Sequence, residues 1–257
     1  MEGVREPLPT HVEGTPPLPP GYDDALASGL EALHLSLAPE ARAAIDGHVR
    51  LLLAWTRSIN LTAIHDPVAA ATVHVADSLT AVPLLRSLGI ERFLDLGSGG
   101  GLPGLPLAIA LPASDALLVE PIGKKARFLE ATIAAVDLGG TVRVAATRAE
   151  ALARDPGHRA GWPAVTARAV AATSELVELA FPLLADGGRL VAWKRGDLDA
   201  ELAGARRAIQ ALGGGTIDVV DVAVPELVGH RLVLATRQGR LPDAFPRDPA
   251  ARRRRPW

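Results

Sequence analysis

Phe93-Leu94-Asp95-Leu96-Gly97-Ser98-Gly99-Gly100-Gly101-Leu102-Pro103-Gly104 is the stretch that decides the architecture. A short apolar run enters a turn holding four glycines in five positions, and an apolar helical pattern leaves it. Glycine reaches φ > 0 and lets a ligand approach the main chain, at an entropic cost that a plain turn would not need. Pro103 suits a first helical turn, where its missing N–H would be unpaired anyway. A ligand at such a loop sits beyond the carboxyl end of the strand.

Downstream, apolar runs alternate with helical patterns: ALLVE then KKARFLEATIAAV, TVRVAA then a short helix near RAEALA, PAVTARA then SELVELAFPLL, GRLVAWK then DLDAELAGARRAIQAL. This alternation predicts a parallel sheet with helices on both faces. TIDVVDVAV and HRLVLATR close it with only a short turn between, so they should pair antiparallel at one edge. Upstream, Leu26, Leu30 and Leu33, then Ile45, Val49, Leu52 and Leu53, repeat at helical spacing. Asn60-Leu61-Thr62 breaks that pattern, and Asp66-Pro67 restarts it as a capping acid before a first-turn proline. The fold class is α/β, a doubly wound Rossmann-like sheet. A single domain over 25–238 is expected, helical over 25–89 and ligand-binding over 90–238. Residues 1–24 are proline-rich and predict a disordered tail, and 239–257 predict a basic flexible one.

The chain has 257 residues, 27 Lys+Arg and 29 Asp+Glu, a net charge of -2 that excludes a polybasic coat but not a local basic patch. It has no cysteine, which excludes disulfides, thiolate metal sites and a cysteine nucleophile. No uncharged apolar run reaches the roughly 18 residues of a membrane span, and MEGVREPLPT, with acids and prolines and no apolar core, is not expected to be a signal peptide. A cytoplasmic protein without a membrane partner is expected. His74 and Asp77 stand i, i+3 without further ligands at metal spacing, so no metal is expected and a bracing role is preferred.

Gly99-x-Gly101-x-x-Gly104 followed by Glu120 matches a dinucleotide fingerprint, which keeps an NAD(P)-dependent oxidoreductase open. S-adenosylmethionine is favoured for two reasons. Asp95 just before the loop suits a cationic sulfonium better than a pyrophosphate, and a closing antiparallel pair suits a seven-stranded class I methyltransferase sheet. Glu120 would accept ribose hydroxyls under either reading. Lack of cysteine argues against pyrimidine carbon-5 methylation, and Val165-Thr166-Ala167-Arg168-Ala169-Val170 replaces the motif of adenine amino methyltransferases. A lone-pair acceptor such as guanine N7 needs no deprotonation, only positioning.

Several motifs together resemble the bacterial 16S rRNA guanine-N7 methyltransferases of the RsmG or GidB family. They are Asn60-Leu61-Thr62, His74-Val75-Ala76-Asp77-Ser78, the glycine loop, Glu120 followed by Lys124-Lys125-Ala126-Arg127-Phe128-Leu129, Arg148-Ala149-Glu150, Arg168-Ala169-Val170-Ala171, Lys194 and Phe245-Pro246-Arg247. The resemblance implies S-adenosylmethionine as donor, 16S rRNA or the small ribosomal subunit as partner, and cofactor contacts at Gly97, Leu102, Ala149, Glu150 and Arg168, joining Gly99, Gly101 and Glu120. Lys194-Arg195-Gly196 is one residue longer than the family's Lys-Gly, and the Arg252–Arg255 run lies outside its pattern and reads as a solvated tail. All three lysines, Lys124, Lys125 and Lys194, follow strands on the cofactor side. With Arg168 they are the expected RNA contacts. A non-catalytic ribosome-binding module with the same pocket is the third possibility.

Overall fold

The structure is a computed structural model that describes residues 8–111 and 115–257. Seven strands form one sheet: β1 (Arg92–Leu96), β2 (Asp115–Val119), β3 (Val142–Ala145), β4 (Trp162–Arg168), β5 (Leu184–Arg195), β6 (Gly215–Asp221) and β7 (His230–Arg237). Their order is β3-β2-β1-β4-β5-β7-β6. The first five are parallel, and β7 inserts antiparallel between β5 and β6. The expected closing pair is therefore present, with β6 as the edge.

The upstream helices are α1 (Pro20–Ala32), α2 (Pro39–Thr56), α3 (Pro67–Ala70), a π-helical stretch at Ala71–Ala76, α4 (Asp77–Leu79) and α5 (Val82–Ser87). The Asp66 carboxylate caps α3 by accepting from the Ala69 N–H at 3.0 Å, as its place before Pro67 predicts. The run Pro67–Ser87 is apolar and long enough to cross a membrane, but 67% of its apolar window is buried in this fold. The crossover helices are α6 (Gly104–Ala110), α7 (Gly123–Ala135), α8 (Ala149–Leu152), α9 (Thr173–Ala180) and α10 (Asp199–Ala211). Helix α6 starts one residue after Pro103, which precedes the first turn and does not lie within it.

Strand alternation sorts the core into two layers. Phe93, Ala116, Leu118 and Val191 pack with α1, α2 and the Pro67–Ser87 run. Leu94, Leu96, Leu117 and Val165 pack with α9 and α10. Gly104 permits the close approach of α6 to the sheet, since a Cβ there would lie 2.4 Å from Leu118 Cδ2 and 2.8 Å from Asp95 Oδ2.

Both tails depart from expectation. Residues 1–7 of the expected disordered tail lie outside the described residues, but 8–24 are packed. The Trp55 indole N–H donates to Pro9 O at 2.7 Å, Arg50 donates to the carbonyls of Val12 and Pro16, and Tyr22 is fully buried. At the other end a further helix, α11 (Pro249–Arg254), is capped by Asp248 and held by buried acids. Prolines here direct the chain along a surface whose partners are remote in sequence, and composition alone does not reveal those partners. The extra residue at Lys194-Arg195-Gly196 is absorbed by β5, which pairs through Arg195 with His230 before turning at Gly196.

Candidate active site

Beyond the carboxyl ends of β1, β4 and β5 lies a cavity of about 510 Å³, within the range of small-molecule sites. The glycine loop forms its floor. Gly97 adopts φ +68°, and a Cβ there would lie 2.7 Å from Val170 Cγ2, so this position excludes other residues on two counts. The N-terminal helices hold the loop from behind. His48 on α2 is fully buried and its Nε2 lies 2.7 Å from Gly100 O. A carbonyl only accepts, so Nε2 carries the proton. Burial pushes the His48 pKa down to about 4, which keeps the ring neutral.

One wall centres on Asp77. Its buried carboxylate accepts from Arg168 at 2.8 Å on one oxygen and pairs with His230 Nδ1 at 3.0 Å on the other. Its carbonyl accepts from the Trp193 indole N–H at 2.7 Å. His74 Nε2 lies 2.6 Å from Thr62 Oγ1. Burial, with Arg168 adding repulsion, lowers the His74 pKa to about 4. The bracing role expected of His74 and Asp77 is what these contacts perform, but both residues also line the cavity. Ala169, directly after Arg168, has φ +56°, an uncommon conformation for a residue with a Cβ.

Of the expected site residues, Gly97, Gly99, Leu102, Lys125, Arg168 and Lys194 line the cavity. Gly101, Glu120, Lys124, Ala149 and Glu150 do not. Gly101 is buried under Leu105 and His48, and Lys124 is exposed. Glu120 accepts from the N–H groups of Gly99 (2.9 Å) and Ile122 (2.8 Å), one on each oxygen. Each oxygen keeps a further lone pair. Glu150 opens α8 and is closed over by Arg252, which also donates to Glu175 at 3.2 Å. Burial raises the Glu150 pKa, but hydrogen bonds and nearby arginines outweigh it and hold the carboxyl below its ordinary range. Lys194 donates to Ala171 O (2.8 Å) and Glu201 (2.5 Å), so much of its donor capacity is spent inside the protein. Asp95 is not at the cavity: it is fully buried, accepts from Thr166 Oγ1 at 2.7 Å, and burial raises its pKa to about 6. It therefore supports the strand end from outside the cavity lining.

Thr62, Trp193, His230 and His48 were not anticipated in these roles. Asn60-Leu61-Thr62 was visible as a motif, and Trp193, buried on β5, lies in the strand run GRLVAWK. His230 carried no local signal.

The residues present fit S-adenosylmethionine. Arg168 and Lys125 offer cations for a carboxylate, the glycine loop offers main-chain approach, Glu120 has lone pairs for a diol, and Ile122 beside it is an exposed apolar face for a base. A glycine loop after β1, an acid ending β2 and an antiparallel β7 inside the sheet define a class I S-adenosylmethionine-dependent methyltransferase. A protein from Corynebacterium glutamicum of known structure shares the fold, with a TM-score of 0.52 at 16% identity over 84% of this chain and 97% of that one.

The family model for rRNA small subunit methyltransferase G, GidB, matches residues 42–228. The chain is 43% identical over 196 residues to ribosomal RNA small subunit methyltransferase G of Roseiflexus castenholzii, covering 76% of this chain and 83% of that protein. It is 39% identical over 223 residues to the protein of the same name from Dehalococcoides mccartyi, covering 86% and 94%. The chain belongs to the GidB family and is an S-adenosylmethionine-dependent methyltransferase of 16S ribosomal RNA. This membership displaces both the oxidoreductase and the non-catalytic alternatives.

Proposed function

We propose that the methyl acceptor is N7 of a guanine in 16S rRNA, reached within the small ribosomal subunit in the cytoplasm, and that the cavity works by positioning donor and acceptor. One observation carries this reading. Asp77 is the cavity's carboxylate among the described residues, and both its oxygens are engaged, by Arg168 and His230. His74, near pKa 4, is a weak base, and His230, the other imidazole lining the cavity, has its Nδ1 engaged by Asp77. A hydroxyl or amine acceptor would need a proton removed in or before transfer, whereas N7 presents a lone pair already.

When bound, S-adenosylmethionine supplies a methyl carbon made electrophilic by its sulfonium. The Gly97–Leu102 backbone would hold the methionine portion, Glu120 the ribose hydroxyls, and Ala149 with Glu150 the adenine side. Arg168, fixed by Asp77, would hold either the donor's carboxylate or an RNA phosphate, since a guanidinium fork suits both. Lys124, Lys125 and Lys194 would contribute positive potential toward the RNA. Holding donor and acceptor in line removes the entropic part of the barrier, a contribution worth about 7–11 kcal/mol in well-oriented systems.

The test is transfer from methyl-labelled donor to small subunits lacking the modification, followed by nucleoside analysis. N7-methylguanine is the expected product. A labelled base of any other kind, or none, refutes the assignment.

A further inference from the structure

We infer that helix α11 is a prebuilt docking element for the phosphodiester backbone of the RNA, with Arg253, Arg254 and Arg255 as its contact cations. The inference rests on ribosomal RNA being the substrate and adds a second contact surface to it.

The first observation is how firmly the helix is held. Glu178 on α9 is fully buried, and its carboxylate receives both flanks of the segment. Arg247, before the helix, donates Nε at 2.9 Å and a terminal nitrogen at 2.5 Å. Trp257, after it, donates its indole N–H at 2.8 Å. The Arg247 guanidinium lies 4.4 Å from the Trp257 ring centroid, so the two flanks also grip each other. Arg252 ties the middle of the segment to Glu150 and Glu175. A run of arginines serving only as a solvated tail would need none of these anchors.

The second observation is what remains free. Arg253, Arg254 and Arg255 are exposed, and none forms an ion pair among the described residues. Arg254 and Arg255 border an open hollow of about 450 Å³. The buried acids beneath are taken up by Arg247 and Arg252, which leaves Asp248 at the helix start as the acid within electrostatic reach of Arg254. Guanidinium groups on a fixed support bind phosphate with less ordering cost than those on a free coil.

The third observation is location. The cleft under α11 includes Ala172, and the catalytic cavity includes Ala169. Three residues of backbone span at most about 11 Å, so the cleft under the helix lies within reach of an RNA strand that enters the cavity. Exposed Arg148 lies on the same rim, next to the Glu150 that Arg252 holds.

The test compares wild type with the full chain carrying R253A, R254A and R255A together, which leaves Arg247, Arg252 and Trp257 in place. Methyl transfer to unmodified small subunits should show KM raised about tenfold, with kcat and the Kd for S-adenosylmethionine unchanged. Three lost phosphate contacts should flatten the plot of log binding constant against log salt by about two. Replacing the three arginines by lysine should restore most of the affinity and the salt slope. Unchanged KM and salt slope in the alanine variant would overturn the inference, as would a loss confined to kcat. If the alanine variant fails to fold, R254E alone decides, since reversal of one contact should still raise KM and an unchanged KM refutes the contact. Absence of small-subunit RNA labelling by the wild type itself is a distinct result, which removes the substrate reading on which the inference stands.

Discussion

On the β5 side of the cofactor cleft, Asp77 from the N-terminal helices grips Arg168 and His230, while neutral His48 and His74 brace the backbone and a threonine. Around α8 and α9, Glu150 is closed by Arg252, and Glu178 is held by Arg247 and Trp257 from the last eleven residues. The first flank mixes one buried ion pair with uncharged histidines. The second is fastened by two buried carboxylates, each paired with an arginine. Opposite ends of the chain thus fasten two separate regions around the sheet, and the two should fail under different conditions.

The largest effect is expected on the first flank. Arg168→Ala should slow methyl transfer about 100-fold or more, measured by label incorporation into unmodified subunits. Asp77→Ala leaves the Arg168 charge without its partner. It should cost about 3–5 kcal/mol in denaturant unfolding, and a variant that unfolds like wild type would show that the two flanks do not differ in this way.

Acid separates the flanks next. His48 and His74 titrate near 4 in the folded protein and at about 6.5 when unfolded. The unfolded chain therefore takes up protons first, and stability falls as pH drops from about 6.5 toward 4, by up to about 3 kcal/mol for each ring. Asp95, raised to about 6, works in the opposite direction, because its folded form gains as pH falls below 6. It offsets less than the two histidines together cost. Glu150, Glu178 and Glu201 sit below their ordinary values, so their contribution is lost only below about 4.3, in a later phase. Unfolding followed from pH 8 to 4 should show the histidine phase, and His48→Gln, which keeps a donor for Gly100 O, should flatten it.

The smallest effect belongs to the second flank. Arg252→Ala should weaken S-adenosylmethionine binding about tenfold, or about 1.4 kcal/mol, by calorimetry, while kcat at saturating donor is retained. Loss of kcat with donor affinity intact would reverse the roles given to the two sides.

The strands and the glycine loop were legible because their signals are local: apolar runs, glycine spacing and a helix between parallel strands. Gly97 shows why, since its φ and the Val170 contact are both consequences of a turn confined to a few residues. His48 to Gly100 and Asp77 to His230 span 52 and 153 positions, and no periodicity announces such pairings. The packing of residues 8–24 and of α11 was hidden for the same reason. Pro9 and Pro16 look like linker residues until Trp55 and Arg50 are seen to use their carbonyls. Asp95 misled in a subtler way, because it packs against Gly104 of α6 and Thr166 and does not line the cavity.

The π-helical stretch at Ala71–Ala76 has a consequence for how this wall can evolve. Such a stretch accommodates a residue beyond the ordinary winding, and each residue of an α-helix advances the face by about 100°. Shortening it by one would swing Asp77 round the axis, away from Arg168, without altering either side chain. Insertions and deletions in this stretch are therefore barred more strictly than most substitutions within it.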